Sequence, residues 1–187
     1  MATYSFSELV KNAYSLVLTK LFFPSARLVR RPVYIRGRKG MVYGKGFTTG
    51  YRCRLELMGE GVTLRMGENC KIGDSVHIVA SKEVTIGDDC LFASHIFISD
   101  TNHGAGDEHP MTPPDSRPLT AEPVSIGSCV WLGEGVAVLP GAKIGDGCII
   151  GAHAVVKGEI PAYTIAVGSP AKPVKQYNFE EKVWERC

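Results

Sequence analysis

The sequence predicts an all-β solenoid, a ribbon of short parallel strands wound into triangular coils. The first observation behind this is a meter. Aliphatic residues recur every six positions at Ile126, Leu132, Val138, Ile144, Ile150 and Val156, and glycine follows four of them. The second is what stands four residues after each aliphatic, usually something small: Cys70, Val76, Cys90, Val130, Val136, Ala142, Cys148, Ala154. A fixed short period marks a stack of identical units, and six residues suit one short strand plus a turn. Three units close a triangle, with aliphatics pointing inward and glycine where the backbone bends sharply. The third observation is composition. The chain has 187 residues, 21 glycines, 11 prolines and a net charge of +2, which describes one turn-rich globular domain.

In chain order, the first element is a helix. Ser5 and Glu8 form a capping box, and Pro24 ends the segment. Phe6, Leu9, Val10, Ala13, Val17 and Leu21 repeat at helical spacing and give it one apolar face. Lys11 and Lys20 interrupt the apolar run, so it falls short of the ~20 residues a membrane span needs. Lys20 also spoils a secretory leader, and the expected location is cytoplasmic. From Ser25 to Arg54 the chain carries nine Lys/Arg and no acid. Next to an amphipathic helix, such a segment suits peripheral contact with an anionic inner membrane leaflet. The alternative is that the helix caps the first coil and packs within an oligomer. The balanced overall charge gives no argument for nucleic acid.

Residues 1–54 are thus expected to form the helix and a basic lead-in, 55–175 the coil, and 176–187 a tail. Within the coil the meter runs through Met66, Ile72 and Ile78, slips by two residues, and resumes at Ile86, Phe92 and Ile98. It stops again just after His103, and residues 104–123, rich in Pro, Gly, Asp and Thr, form an extruded loop. A smooth solenoid wall has no pocket, and a long surface loop creates one at little entropic cost. The six cysteines include no CxxC pair, so they read as structural thiols of a reducing compartment.

"VTIGDDCLFASHIFISDTNHG", "SCVWLGEGVAVLPGAKIGDGCIIGAHAVV" and "IPAYTIAVGSPAKPVK" follow one another in this chain. Their order resembles the hexapeptide-repeat acetyltransferases of the maltose, galactoside and xenobiotic branch. The opening "RRPVYIRGRKG" and "YGKGFTTGYRCRLEL" look more like O-acetyltransferases of lipopolysaccharide and capsule biosynthesis. The resemblance implies a left-handed parallel β-helix, a homotrimer, and acetyl-CoA held between neighbouring subunits.

It also implies a site. His103 aligns with the family's general base, a role that suits a group titrating near working pH. Asp100 and Asn102 are candidates to orient its ring. Trp131 stands where an aromatic borders the acetyl group, Glu134 where a backbone N–H meets the thioester, and Ala152 beside the pantetheine arm. Lys157 and Gly158 match a further contact, while Lys172 and Lys175 replace arginines that approach the CoA phosphates. An acceptor-binding asparagine of the sugar enzymes falls here on Gly73, beside Asp74 and Ser75, so the acceptor contacts differ. The expected activity is O-acetylation of a sugar hydroxyl, with a lipid-linked O-antigen or capsule precursor as the hypothesised acceptor. The rivals are N-acetylation of a nucleotide-linked amino sugar and a non-catalytic scaffold. A γ-carbonic-anhydrase-like zinc site is not expected, because the histidine spacing does not match.

Overall fold

The computed structural model describes residues 4–61, 63–105 and 109–187. Its strands stack into three flat faces. The first is a nine-stranded sheet and the second and third have six strands each, so six complete coils lie between the ends. Every pairing between successive coils of the three faces is parallel, for example Phe97 with Ala137 and Ser125 with Lys143. The inward positions form one continuous core, in which Leu55, Ile78, Ile98, Leu132, Val138, Ile150 and Val156 are completely buried. The small residues predicted for the corners, Cys70, Cys90, Val130, Cys148 and Ala154 among them, are buried too.

The coil starts earlier than residue 55. Leu28–Val29 and Thr48–Thr49 already pair in the first face, and Val33–Arg36 pairs with Cys53–Leu57 in the second. Two features hide these coils from the meter: their length exceeds three six-residue units, and the inward position aligned with Val29 and Ile72 is a threonine, Thr49. The C-terminal residues also join the structure. Lys172–Asn178 and Val183–Arg186 extend the first face as antiparallel strands, with Tyr177 packed edge-on against Phe179 and Trp184.

Helix α1, Phe6–Phe22, has the predicted capping box: the Ser5 N–H donates to Glu8 Oε2 at 2.7 Å, and the Glu8 N–H to Ser5 Oγ at 3.3 Å. It closes the open end of the coil with its polar side. Ser15 and Thr19 are its buried residues, and Thr19 Oγ1 accepts the Val29 N–H at 2.8 Å. Asn12 Oδ1 accepts from Arg30 Nε and from the Tyr51 hydroxyl, both at 3.2 Å. The apolar stripe therefore faces outward, with Phe6 83%, Val17 68% and Leu21 67% exposed.

The two-residue slip between Ile78 and Ile86 has a physical cause that corrects one expectation. Asp100 does not reach His103. Its carboxylate is buried and accepts the backbone N–H groups of Ser81, Lys82 and Glu83 at 2.8, 2.7 and 2.7 Å, plus the Thr101 hydroxyl at 2.7 Å. The widened corner is a turn wrapped around this one anion. Removing it strands several backbone donors, so Asp100→Ala should lower unfolding free energy by about 2–4 kcal/mol, read from the denaturant midpoint. A variant as stable as the parent would refute the assignment.

Candidate functional site

The excursion after the fourth second-face strand is a hairpin. Thr101–His103 pairs antiparallel with Leu119–Ala121, setting His103 opposite Leu119. His103 and Asn102 are exposed on this ribbon, at the corner between the second and third faces. Residues 106–108 of the predicted loop lie outside the described residues. Arg117, which sequence reasoning did not single out, ties the excursion together. Its guanidinium donates to the carbonyls of Thr112 at 2.8 Å, Pro110 at 3.0 Å, Ala105 at 3.2 Å and Gly104 at 3.3 Å. An arginine in a loop of prolines and glycines was the available signal.

Beneath the ribbon a groove of about 530 Å³ runs along the second face, lined by His77, Phe97, Asn102, His103, Leu119 and Leu139. His77 lies 5.5 Å from the Phe97 ring, and its Nε2 is 2.9 Å from Glu56 Oε2. Hydrogen bonds from Arg54 and then from His77 hold the Glu56 carboxyl below its ordinary range. This His77–Glu56 pair, too, had escaped notice.

The corner between the first and second faces follows a rule. At each level a polar side chain accepts the backbone N–H of the coil below. Asp74 Oδ1 takes the Tyr51 N–H at 2.7 Å, Ser94 Oγ the Asp74 N–H at 3.1 Å, and Glu134 Oε2 the Ser94 N–H at 3.0 Å. The opposite corner repeats it, with Asp88 on the Glu68 N–H and Asp146 on the Ser128 N–H, both at 2.7 Å. At Ala152 the first ladder ends, because a methyl cannot accept. Among the described residues the backbone N–H groups of Glu134 and Ala152 then have no acceptor. Both residues are exposed, and the two N–H groups sit one coil apart on the same edge. The Glu134 carboxylate is 2.7 Å from His95 Nδ1, a contact that lowers its pKa.

Beside this edge, Trp131 points out of the first face, half exposed, between Leu91 and Ile149. The same column continues through Ile165 to Lys175, and Lys172 pairs with Val167 alongside. Gly73, Asp74 and Ser75 lie lower on the same edge. Asp74 is committed to the ladder, and a Cβ on Gly73 would stand 2.6 Å from the Ala93 carbonyl carbon. Lys157 and Gly158 are elsewhere, at the second-to-third corner, where the Gly158 carbonyl accepts the Lys143 N–H at 2.9 Å.

The sequence-predicted residues thus fall into two groups. Trp131, Glu134, Ala152, Lys172, Lys175 and Gly73–Ser75 occupy the first face and its corner with the second. Asn102, His103, Lys157 and Gly158 occupy the far edge of the second face. These surfaces of a triangular prism look in different directions, so one protomer does not bring His103 to Trp131.

Four of the cysteines sit in the wall with their Sγ atoms on backbone carbonyls, Cys53 to Gly73, Cys70 to Gly87, Cys90 to Gly127 and Cys148 to Pro161. Burial pushes the Cys148 thiol up, and the Cys53 thiol up to about 11. Among the described residues no three His, Cys, Asp or Glu side chains converge as a metal site would need, and no helix is long and apolar enough to cross a membrane.

Residues 123–158 match the family model "Bacterial transferase hexapeptide (six repeats)". Over 189 aligned residues the chain is 42% identical to the putative lipopolysaccharide biosynthesis O-acetyl transferase WbbJ of Escherichia coli (strain K12), covering 98% of this chain and 96% of that one. Among solved structures, galactoside acetyltransferase in complex with coenzyme A superposes with a TM-score of 0.59 at 29% identity, over 73% of this chain and 68% of the other. A variant of AntD, an N-acyltransferase from Bacillus cereus in complex with dTDP-4-amino-4,6-dideoxyglucose and coenzyme A, superposes with a TM-score of 0.74 over 95% and 92% of the two chains. At 18% identity that likeness speaks for the fold alone. A match of this extent to WbbJ, with the six-residue coil and the repeat model, makes the chain a member of the hexapeptide-repeat acetyltransferase family.

Proposed function

We propose that this protein transfers acetyl from acetyl-CoA to a sugar hydroxyl of a surface-polysaccharide precursor, in sites shared between protomers of a homotrimer. The observation that carries this is the open Glu134 N–H on the same coil as Trp131; the opposite corner's ladder also ends at an alanine, Ala162, but one coil higher. Two adjacent backbone donors are left open beside an exposed tryptophan, where a thioester carbonyl and an amide of the pantetheine arm need donors. The Glu134 N–H donates to the thioester oxygen, and the Ala152 N–H borders the arm. Trp131 walls the acetyl group, and Lys172 and Lys175, higher on the same face, meet the phosphates as point charges. A neighbouring protomer supplies His103 with Asn102, Lys157 and Gly158.

In the reaction, His103 removes the proton of the acceptor hydroxyl as its oxygen attacks the thioester carbon. Negative charge collects on the former carbonyl oxygen, opposite the Glu134 N–H. Collapse of this tetrahedral species breaks the C–S bond, and the coenzyme A thiolate takes the proton back from the imidazolium. The products are an acetyl ester and free coenzyme A. No acyl-enzyme is needed, consistent with buried, alkaline-shifted thiols such as Cys53 and Cys148.

O-transfer is favoured over N-transfer by the 42% relative, which bears an O-acetyl transferase name. Thiol release from acetyl-CoA, measured with a panel of hydroxylated and amino sugars, tests the reading. Release with neither class of acceptor would favour a scaffold.

The outward apolar stripe of α1, with the basic segment beginning at Arg27 beside it, supports docking on an anionic leaflet where a lipid-linked acceptor would be found. The full chain should float with anionic vesicles, and a Leu9→Glu/Val17→Glu variant should not. Equal flotation of both, or dissociation of the oligomer by these substitutions, would overturn membrane docking.

A further inference from the structure

Below Trp131 the first face opens into a groove of about 590 Å³. Its wall carries three cations, Arg27, Arg30 and Lys71, and a single acid, Asp74. Three cations against one carboxylate leave the groove a positive balance, and the Asp74 carboxylate is turned to the Tyr51 N–H. Among the described residues none of the three cations forms an ion pair with a carboxylate. Arg30 is fixed in place: its Nε donates to Asn12 Oδ1 at 3.2 Å, one terminal nitrogen donates to the Thr49 carbonyl at 3.0 Å, and the group lies 5.9 Å from the Tyr51 ring. The other terminal nitrogen is left for a ligand. A cation held this way loses little freedom when it binds an anion.

The register gives the distance. Lys71, Leu91 and Trp131 are neighbours in one column of the sheet. Lys71 is therefore two strand spacings, about 10 Å, from the tryptophan that walls the acetyl group.

We infer that this groove binds a phosphate-bearing tail of the acceptor, a sugar diphosphate, with Arg27, Arg30 and Lys71 on the diphosphate and the sugar ring lying between them and Trp131. The inference rests on the transferase reading for the position of the acetyl group. It adds to that reading the place on the first face, and the three side chains, that hold a diphosphate at one end of the sugar. The same charge pattern fits a nucleoside diphosphate and a polyprenyl diphosphate.

The test is calorimetric titration of the full chain with inorganic pyrophosphate, for the parent and for Arg27→Ala/Lys71→Ala. Arg27 and Lys71 are exposed, so the variant should fold. Loss of two charge-assisted contacts should weaken pyrophosphate binding at least about ten-fold while acetyl-CoA affinity is retained. Equal pyrophosphate affinity in both proteins, or none in the parent, overturns the groove whatever acetyl-CoA does. Retained pyrophosphate binding by a parent that fails to bind acetyl-CoA supports the groove and overturns the transferase reading instead. Uridine diphosphate and farnesyl diphosphate then separate the sources: whichever gains affinity over pyrophosphate identifies the group beyond the phosphates.

Discussion

His103→Ala is expected to lower kcat by about 10²–10⁴, with little change in acetyl-CoA affinity or in stability. The size follows from the role. Without the imidazole, a neutral sugar hydroxyl must attack the thioester while still protonated. Stability should be spared because the side chain is exposed on the Thr101–His103 ribbon and has no protein hydrogen-bond partner among the described residues. Steady-state kinetics with a saturating acceptor give the answer, and His77→Ala is the essential companion. His77 lines the same groove and already has a carboxylate partner in Glu56, so it is the one other histidine placed to act as a base there. A large loss in the His77 variant with a small one in the His103 variant would reassign the base.

Ala152→Asp should be nearly as damaging, by the opposite means. At the lower levels of this corner, and at the opposite corner, an Asp, Ser or Glu side chain reaches down to a backbone N–H at 2.7–3.1 Å. An aspartate at 152 would add the missing rung and occupy the Glu134 N–H. Loss of one oxyanion donor typically lowers kcat by about 10²–10³. The new hydrogen bond should leave stability unchanged or raise it by about 1 kcal/mol. A more stable but inactive variant is a result that damage to the fold does not produce. Full activity in Ala152→Asp would show that the Glu134 N–H takes no part in the reaction.

Much of the architecture was legible because the core uses one aliphatic position repeatedly, and a six-residue period has few structural solutions. It failed where the chain departs from that economy. Thr49 takes an inward place among aliphatics, which concealed the first coils. Asp100 precedes the excursion and is a candidate to orient His103 from proximity in sequence, whereas its carboxylate's hydrogen bonds run to the adjoining Thr101 and to a turn in the preceding coil. The helix showed its apolar spacing plainly, but spacing does not say which side faces the protein. Ser15 and Thr19 face it, because the open coil end offers unpaired backbone groups that hydroxyls satisfy and methyls do not. The open donors of Glu134 and Ala152 were invisible for a related reason: they arise from an alanine standing above a glutamate in neighbouring coils, a relation that the linear sequence does not display.

The central claim is that catalysis needs two copies of the chain, one presenting His103 and the next presenting Trp131 and its corner. Coexpression of a His103→Ala chain with a Trp131→Ala chain tests this most directly. Each variant alone should be nearly inactive. Mixed trimers contain interfaces at which an intact histidine meets an intact first face, and random assembly should restore activity to about a quarter of the parent's sites. Activity no greater than the sum of the two separate variants would place the whole site within one protomer and contradict the account.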